Sequence, residues 1–480
     1  IMNIIDTLII IFFLVSLVIY GLYQGKKNQT TKDFFLGKKN LPWVVAMFSI
    51  VATETSVLTF ISIPGKAYRG EWFFLQLALG YILGRILVSI FLLPQYFRNE
   101  VTSIYQVLGS RFGPDIQKIA SIVFLVTRVL ADGVRFLATA VIVQVITGWS
   151  LLAAVIVIGI VTGIYTLSGG IRTIMWIDSL QFILYLGAGL ISVGFIIFQF
   201  HEPAFSILKD IFDEGKFQII QFGWDIQRPY MFVNSLIGGM LLSFASHGAD
   251  HMMVQRVLST RNLSAARKAM IGSGIFVFFQ FVIFLFVGSL LYALFQTVDL
   301  TQVDIAFLND DKLALKKDRE FPLFIVQYLP VGLKGLLLAG VLSAAMSTLS
   351  SSINSLASST IIDWSWKGRS LRGARFISLF WTIVLISIAL IFDESDKAIV
   401  DMGLEIASFT YGGLLGMFIL SRSKRTFHSL SLILGLVFSI VIVIFLREFG
   451  LAWTWFISFS VITNLAVTYS VDLIFFRHNA

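Results

Sequence analysis

Ten residues from Ser343 to Ser352, Ser-Ala-Ala-Met-Ser-Thr-Leu-Ser-Ser-Ser, carry six hydroxyls within an otherwise apolar stretch. Helical spacing puts Ser347, Ser350 and Ser351 on one face. Serines in apolar helices often back-bond to their own turn or allow close packing, but six in ten residues exceed that need. Hydroxyl and carbonyl oxygens together with one carboxylate are the ligand chemistry of a hard cation. Asp178, in Trp176-Ile177-Asp178-Ser179-Leu180-Gln181, is a candidate for that carboxylate. It also reads as an N-terminal helix cap or a surface charge at the interface. A second polar group is Val51-Ala52-Thr53-Glu54-Thr55-Ser56-Val57-Leu58-Thr59-Phe60, followed by Ile63-Pro64-Gly65. A third comprises Arg85, Arg128 and Arg135. The last two lie seven apart on one helical face, with Asp132 between them. A guanidinium pairs bidentately with a carboxylate, whereas Glu54 suits an ammonium group or several hydroxyls.

The elements that position these residues are helices in lipid. Of the 480 residues 57% are hydrophobic and only 13% charged, about half the charged share of a soluble domain. Runs long enough to cross about 30 Å of hydrocarbon fall at about 4–24, 41–64, 72–96, 119–146, 151–167, 173–199, 229–248, 269–296, 332–362, 376–392, 397–420, 427–446 and 451–476. Backbone in lipid must satisfy its own hydrogen bonds, so the runs are predicted helical. The expectation is an all-α polytopic membrane protein of about thirteen spans, with 1–480 as a single membrane domain. The first run lacks a basic leader and a small-residue cleavage site and reads as a retained helix.

An odd number of spans puts the two ends on opposite sides. The loops 25–40, 97–118, 168–172, 249–268, 363–375, 421–426 and 477–480 hold 21 of the 36 Lys and Arg. The opposite set holds 12, mostly in the two long loops that weigh least in the positive-inside rule. This places the N-terminus outside and the C-terminus in the cytoplasm. Arg85, Arg128 and Arg135 remain inside spans, where a charge is costly and functional by default. The second span carries Glu54 among hydroxyls. The seventh ends in Phe244-Ala245-Ser246-His247-Gly248-Ala249-Asp250-His251. Five helices separate the starts of these two, which inverts the second half relative to the first. Paired interruptions of this kind point to a transporter's central site; the alternative is two helix ends near the interface.

The chain resembles the sodium/solute symporter family, which includes the bacterial sodium–galactose, sodium–proline and sodium–sialic acid transporters. The similarity covers nearly the whole length and is carried by Ala52–Gly65, Tyr165-Thr166-Leu167-Ser168-Gly169-Gly170-Ile171 through Gln181, Val254-Gln255-Arg256, and Phe321–Ser359. The resemblance implies a LeuT-type fold of inverted five-helix repeats, here 41–199 and 229–420, with a leading helix 4–24 and trailing helices 427–476. It implies sodium as coupling ion and a monomer in the cell membrane. By motif, a shared sodium site falls on Ala52, Thr55, Ala344, Ser347 and Thr348. A second falls on Asp178, Ser347, Ser350 and Ser351 and carries one negative charge. The sialic acid branch implies Ser56 and Thr59 as solute contacts, with a carboxylate-binding arginine that is either Arg128 or Arg135. Phe74 and Gln76 are the solute-facing candidates of the third span. The sequence departs from that branch at Glu54, where the branch has threonine, and near Ala78, where it has glutamine.

The function implied is sodium-coupled symport of a small polar solute: a sugar, acidic sugar, amino acid or organic acid. Alternatives are a cation channel, which would need a filter or symmetric rings, and a membrane-embedded sensor or enzyme. There is no cysteine and no His-Glu-x-x-His. His201, His428 and His478 are scattered, while His247 and His251, four apart, allow a two-histidine metal site or a capping role. No basic, aromatic-interleaved stretch suggests nucleic acid. The partners expected are solute, sodium and the bilayer.

Overall fold

The computed structural model describes residues 3–200, 202–309, 318–364, 370–391 and 399–476. His201, His478 and the first residues of the run 397–420 lie outside these. Helix α1 spans Ile4–Gly25. The second predicted span is two helices, α2 (Trp43–Glu54) and α3 (Val57–Arg69), meeting at a bend of 62°. Then follow α4 (Leu75–Leu87, prolonged to Arg98 through a π turn), α5 (Pro114–Thr147) and α6 (Leu151–Gln199). A second broken pair is α7 (Phe232–Gly248) and α8 (His251–Leu258). The chain continues with α9 (Leu263–Thr297), α10 (Leu333–Asp363), α11 (Leu371–Ile391), α12 (Ile399–Ser421), α13 (Ser429–Glu448) and α14 (Phe456–Val471). Short helices and turns join them. Among the described residues the β pairing is a single bridge, Leu41 to Thr260.

Among the described residues nine helices are long and apolar enough to cross a membrane, ten when α2 and α3 count as one span. Three features separate this number from the thirteen predicted runs. The runs 151–167 and 173–199 are fused in α6, whose 49 residues would reach about 74 Å if straight, far beyond one bilayer. Gly170, with φ 65° and ψ −172°, interrupts it in a conformation that favours glycine. The run 229–248 forms the 17-residue α7. In the run 397–420 the apolar helix among the described residues is Ala407–Ser421.

Burial ranks the helices. In α10 the apolar window is 94% buried, against 28% in α1. The hydroxyl-rich helix is therefore the central one, and its serines face protein on all sides, while α1 faces lipid. Close approach elsewhere uses small residues. Helices α4 and α7 meet at Gly80, Gly84 and Gly239: a Cβ on Gly84 would stand 2.3 Å from the Met240 carbonyl oxygen, and one on Gly239 2.4 Å from that of Leu77.

This contact is testable. Gly84→Leu forces α4 and α7 apart and is expected to cost about 1–3 kcal/mol or more. It should lower the melting temperature of the detergent-solubilised protein, with Gly84→Ala intermediate. A wild-type melting temperature for the leucine variant would contradict the close packing.

Candidate functional site

Both helix breaks open onto one cavity. The amide of Ser56, which would continue the α2 ladder onto Ala52, bonds to the Glu54 carbonyl instead (3.1 Å). The Ala52 carbonyl thereby loses its helical donor. Thr55 (ψ 92°) and Ser56 (ψ 174°) are extended, so consecutive side chains point to opposite sides. Thr55 turns toward α6 and α10, and Ser56 toward the cavity. At the other break Asp250 caps α8, accepting from the Met252 amide (2.8 Å).

The cavity measures about 70 Å³, room for about two waters. Its wall includes Glu54, Ser56, Thr59, Phe74, Tyr81, Arg128, Arg135, Ser246, His247, Phe281 and Tyr411. Six of the seven solute-contact candidates thus line it. Gln76 does not: its amide donates to the carbonyls of Phe73 and Tyr230 (3.0 Å each) and accepts from the Gln221 amide (3.1 Å). Gln76 pins the segment before α7 across the bundle. A glutamine serves either purpose, and its sequence position held no signal for which.

The two arginines of α5 separate by their partners. Arg128 is buried between two carboxylates, with Nε 3.0 Å from Asp250 and Nη1 3.3 Å from Asp132, and it donates to the Tyr411 hydroxyl. Among the described residues Arg135 pairs with Asp132 alone, at 3.5 Å. Its side chain is 14% exposed, against 2% for Arg128. Arg135 is therefore the less paired and more exposed of the two guanidiniums in the cavity wall. Glu54 pairs with the fully buried Arg85, whose other nitrogen donates to Ser273 (2.5 Å).

The ion-ligand candidates fall in two adjoining clusters. Ala52, Thr55 and Ala344 border a narrow gap with Gln181 and Tyr185. Thr348 Oγ1 donates to the carbonyls of Thr53 (3.2 Å) and Ala344 (3.3 Å), tying the α2 break to α10. Beside it, Asp178 is fully buried and accepts from Ser49 (2.6 Å) and Ser347 (2.8 Å). Asp178 lies two turns past the Gly170 break, well inside α6, so the capping alternative does not hold. Ser350 back-bonds to the Ser347 carbonyl (3.0 Å), and Ser351 meets Thr53 Oγ1 (3.0 Å).

One residue changes the electrostatics expected here. Arg256 is fully buried, with Nη2 3.5 Å from Asp178 Oδ2, Nε donating to Ser49 (3.0 Å), and further bonds to Ser351 and the Met252 carbonyl. The cluster around Asp178 is therefore a neutral pair and does not carry the single negative charge inferred from the sequence. Arg256 was visible as part of a motif, but its loop position gave no sign that it reaches α6. The histidine pair also resolves: His251 bonds to Ser358 (3.1 Å) and His247 to Ser246 (2.9 Å). Among the described residues no three His, Asp or Glu side chains converge as metal ligands.

Removing one partner of a buried ion pair costs about 3–5 kcal/mol. Arg256→Met should therefore lower the melting temperature sharply in sodium-free detergent buffer, and adding Asp178→Asn should restore part of it. Additive losses in the double variant would contradict the pairing.

Comparison with known proteins gives the family. The family model described as "Sodium:solute symporter family" matches residues 34–424. The sodium/sialic acid symporter NanT of Aliivibrio fischeri is 26% identical over 452 residues, covering 91% of this chain and 86% of NanT. Human sodium-coupled monocarboxylate transporter 1 is 25% identical, covering 87% of this chain and 68% of its own. The substrate-bound, outward-open structure of a Na+-coupled sialic acid symporter superposes with a TM-score of 0.87 at 23% identity, covering 98% of each chain, which shows a shared fold. The chain is a multi-pass membrane protein that performs sodium-coupled solute symport, and it belongs to the sodium:solute symporter family.

Proposed function

We propose that this symporter carries a small organic acid through the cavity between the two helix breaks, with Arg135 as its carboxylate anchor. The observation that carries this reading is the inequality of the two α5 arginines: Arg128 is held by two carboxylates and a tyrosine, whereas Arg135 shares one carboxylate and is the more exposed to the cavity. Ser56 and Thr59 supply hydroxyl contacts, and Phe74 with Phe281 (ring centroids 5.1 Å) supplies apolar wall. A solute-sized site is roughly 300–1,000 Å³. At about 70 Å³ the cavity must widen for loading, in keeping with alternating access.

The coupling ion joins at the neutral oxygens of Ala52, Thr55, Ala344, Ser347 and Thr348. A second sodium joins Asp178 on its Oδ1 side with Ser347, Ser350 and Ser351. Arg256 already neutralises Asp178, so this second ion is the weaker of the two. The architecture is read as a LeuT-type fold of thirteen helices, with repeats at 41–199 and 229–420. The N-terminus is placed outside and the C-terminus in the cytoplasm. Each coupled charge moved through the membrane field adds about 2.3 kcal/mol per 100 mV.

Uptake into proteoliposomes tests both parts. Under an inward sodium gradient, an acid from a panel of N-acetylneuraminate, proline and pyruvate should accumulate, galactose should not, and potassium should not replace sodium. Arg135→Gln should reduce uptake at least tenfold. Asp178→Asn should lower the sodium Hill coefficient from near two toward one. Accumulation of galactose alone would contradict the acid, and an Asn variant with wild-type sodium dependence would limit the stoichiometry to one.

A further inference from the structure

We propose that Glu54 and His247 form a second solute subsite in the same cavity, which takes hydrogen-bond donors and so selects acids that also carry N–H or O–H groups. The inference rests on the reading of this cavity as the solute site. Glu54 uses Oε2 for Arg85, and Oε2 lies 3.6 Å from His247 Nε2. Among the described residues Glu54 Oε1 has no partner. The Glu54 side chain is 17% exposed and lines the cavity.

His247 is held by its other nitrogen, Nδ1, at 2.9 Å from Ser246 Oγ. Its Nε2 is buried with no hydrogen bond, and 3.6 Å to Glu54 is beyond hydrogen-bond reach. The two breaks thus set a free carboxylate oxygen and an unpaired ring nitrogen side by side in one wall. A buried polar atom left unpaired is costly and calls for a partner. A hydroxyl, amide or ammonium of the solute donates to Glu54 Oε1, and a hydroxyl also reaches His247 Nε2 in either tautomer. Arg85 is buried too deeply to meet the solute itself; its ion pair holds Glu54 as an acceptor.

A site built around such contacts rejects analogues that lack the donor, because its own groups then stay unpaired. Plain monocarboxylates should therefore bind at least tenfold more weakly than donor-bearing acids. The test is sodium-dependent binding to the full-length protein in detergent, measured by thermal shift and calorimetry. The donor-bearing acids are N-acetylneuraminate and gluconate for hydroxyls, and proline and 4-aminobutyrate for ammonium. The plain acids are pyruvate, propionate and butyrate.

At least one donor-bearing acid should outbind all three plain acids. His247→Phe and Glu54→Gln should each remove most of that preference, read as the ratio of donor-bearing to plain-acid affinity within each variant. His247→Phe keeps the test open should Glu54→Gln misfold with Arg85 unpaired. Plain acids binding as tightly as the rest, or a preference that survives both variants, would overturn the subsite. No acid binding, or wild-type binding of every acid by Arg135→Gln, would overturn the cavity reading beneath it.

Discussion

Charge inside a membrane protein must be balanced where it stands, because no solvent is near enough to do it. Around the cavity and the Asp178 cluster stand four carboxylates, Glu54, Asp132, Asp178 and Asp250, and four guanidiniums, Arg85, Arg128, Arg135 and Arg256. Three of the pairs tie together different elements, α2 to α4, α5 to the break before α8 and α6 to α8, while Asp132 meets Arg128 and Arg135 within α5. The sum is zero. A solute carboxylate arriving alone would add an uncompensated negative charge, and a sodium ion alone an uncompensated positive one. One sodium and one anionic solute arriving together restore neutrality, and a second sodium is carried as net charge. Coupling in this account begins with that arithmetic.

The α2–α3 break gives the arithmetic a short lever. Thr55 borders the gap proposed for the ion and accepts from Gln280 (2.6 Å), while its neighbour Ser56 borders the cavity. In the proposed mechanism, two adjacent residues of one extended turn link ion and solute. Thr348 spans from α10 to the Thr53 carbonyl at the same turn. Arrangement of the break is consequently shared between the two ligands, and neither needs a long pathway to influence the other.

Much of this was legible in the sequence. A carboxylate and four hydroxyls cannot sit in an unbroken lipid-facing helix, so the break near Glu54 was foreseeable, as was the burial of the hydroxyl face from Ser343 to Ser352. What was not legible is rotation and reach. Arg128 and Arg135 share a helical face by register, and Asp132 sits within a turn of both. The element that separates them, Asp250, arrives from another part of the chain. Arg256 lay in a stretch read as a loop, yet a short helix capped by Asp250 carries its guanidinium to Asp178. Gln76 occupies the expected helix but points to backbone carbonyls that only tertiary packing supplies. Periodicity fixes which residues are neighbours along a helix, and it leaves open which carboxylate a long side chain finds across helices.

The central claim, that sodium and a solute carboxylate are bound because each balances the other in a neutral site, is tested most directly by reciprocal titration. The affinity for the tightest-binding acid is measured by calorimetry across sodium concentrations, in the wild type and in Arg135→Gln, with sodium affinity measured at fixed acid in return. Linkage requires the two couplings to be equal. The account predicts that saturating sodium tightens acid binding at least tenfold, that the acid tightens sodium equally, and that Arg135→Gln removes most of the effect. Acid affinity that does not change with sodium would contradict it.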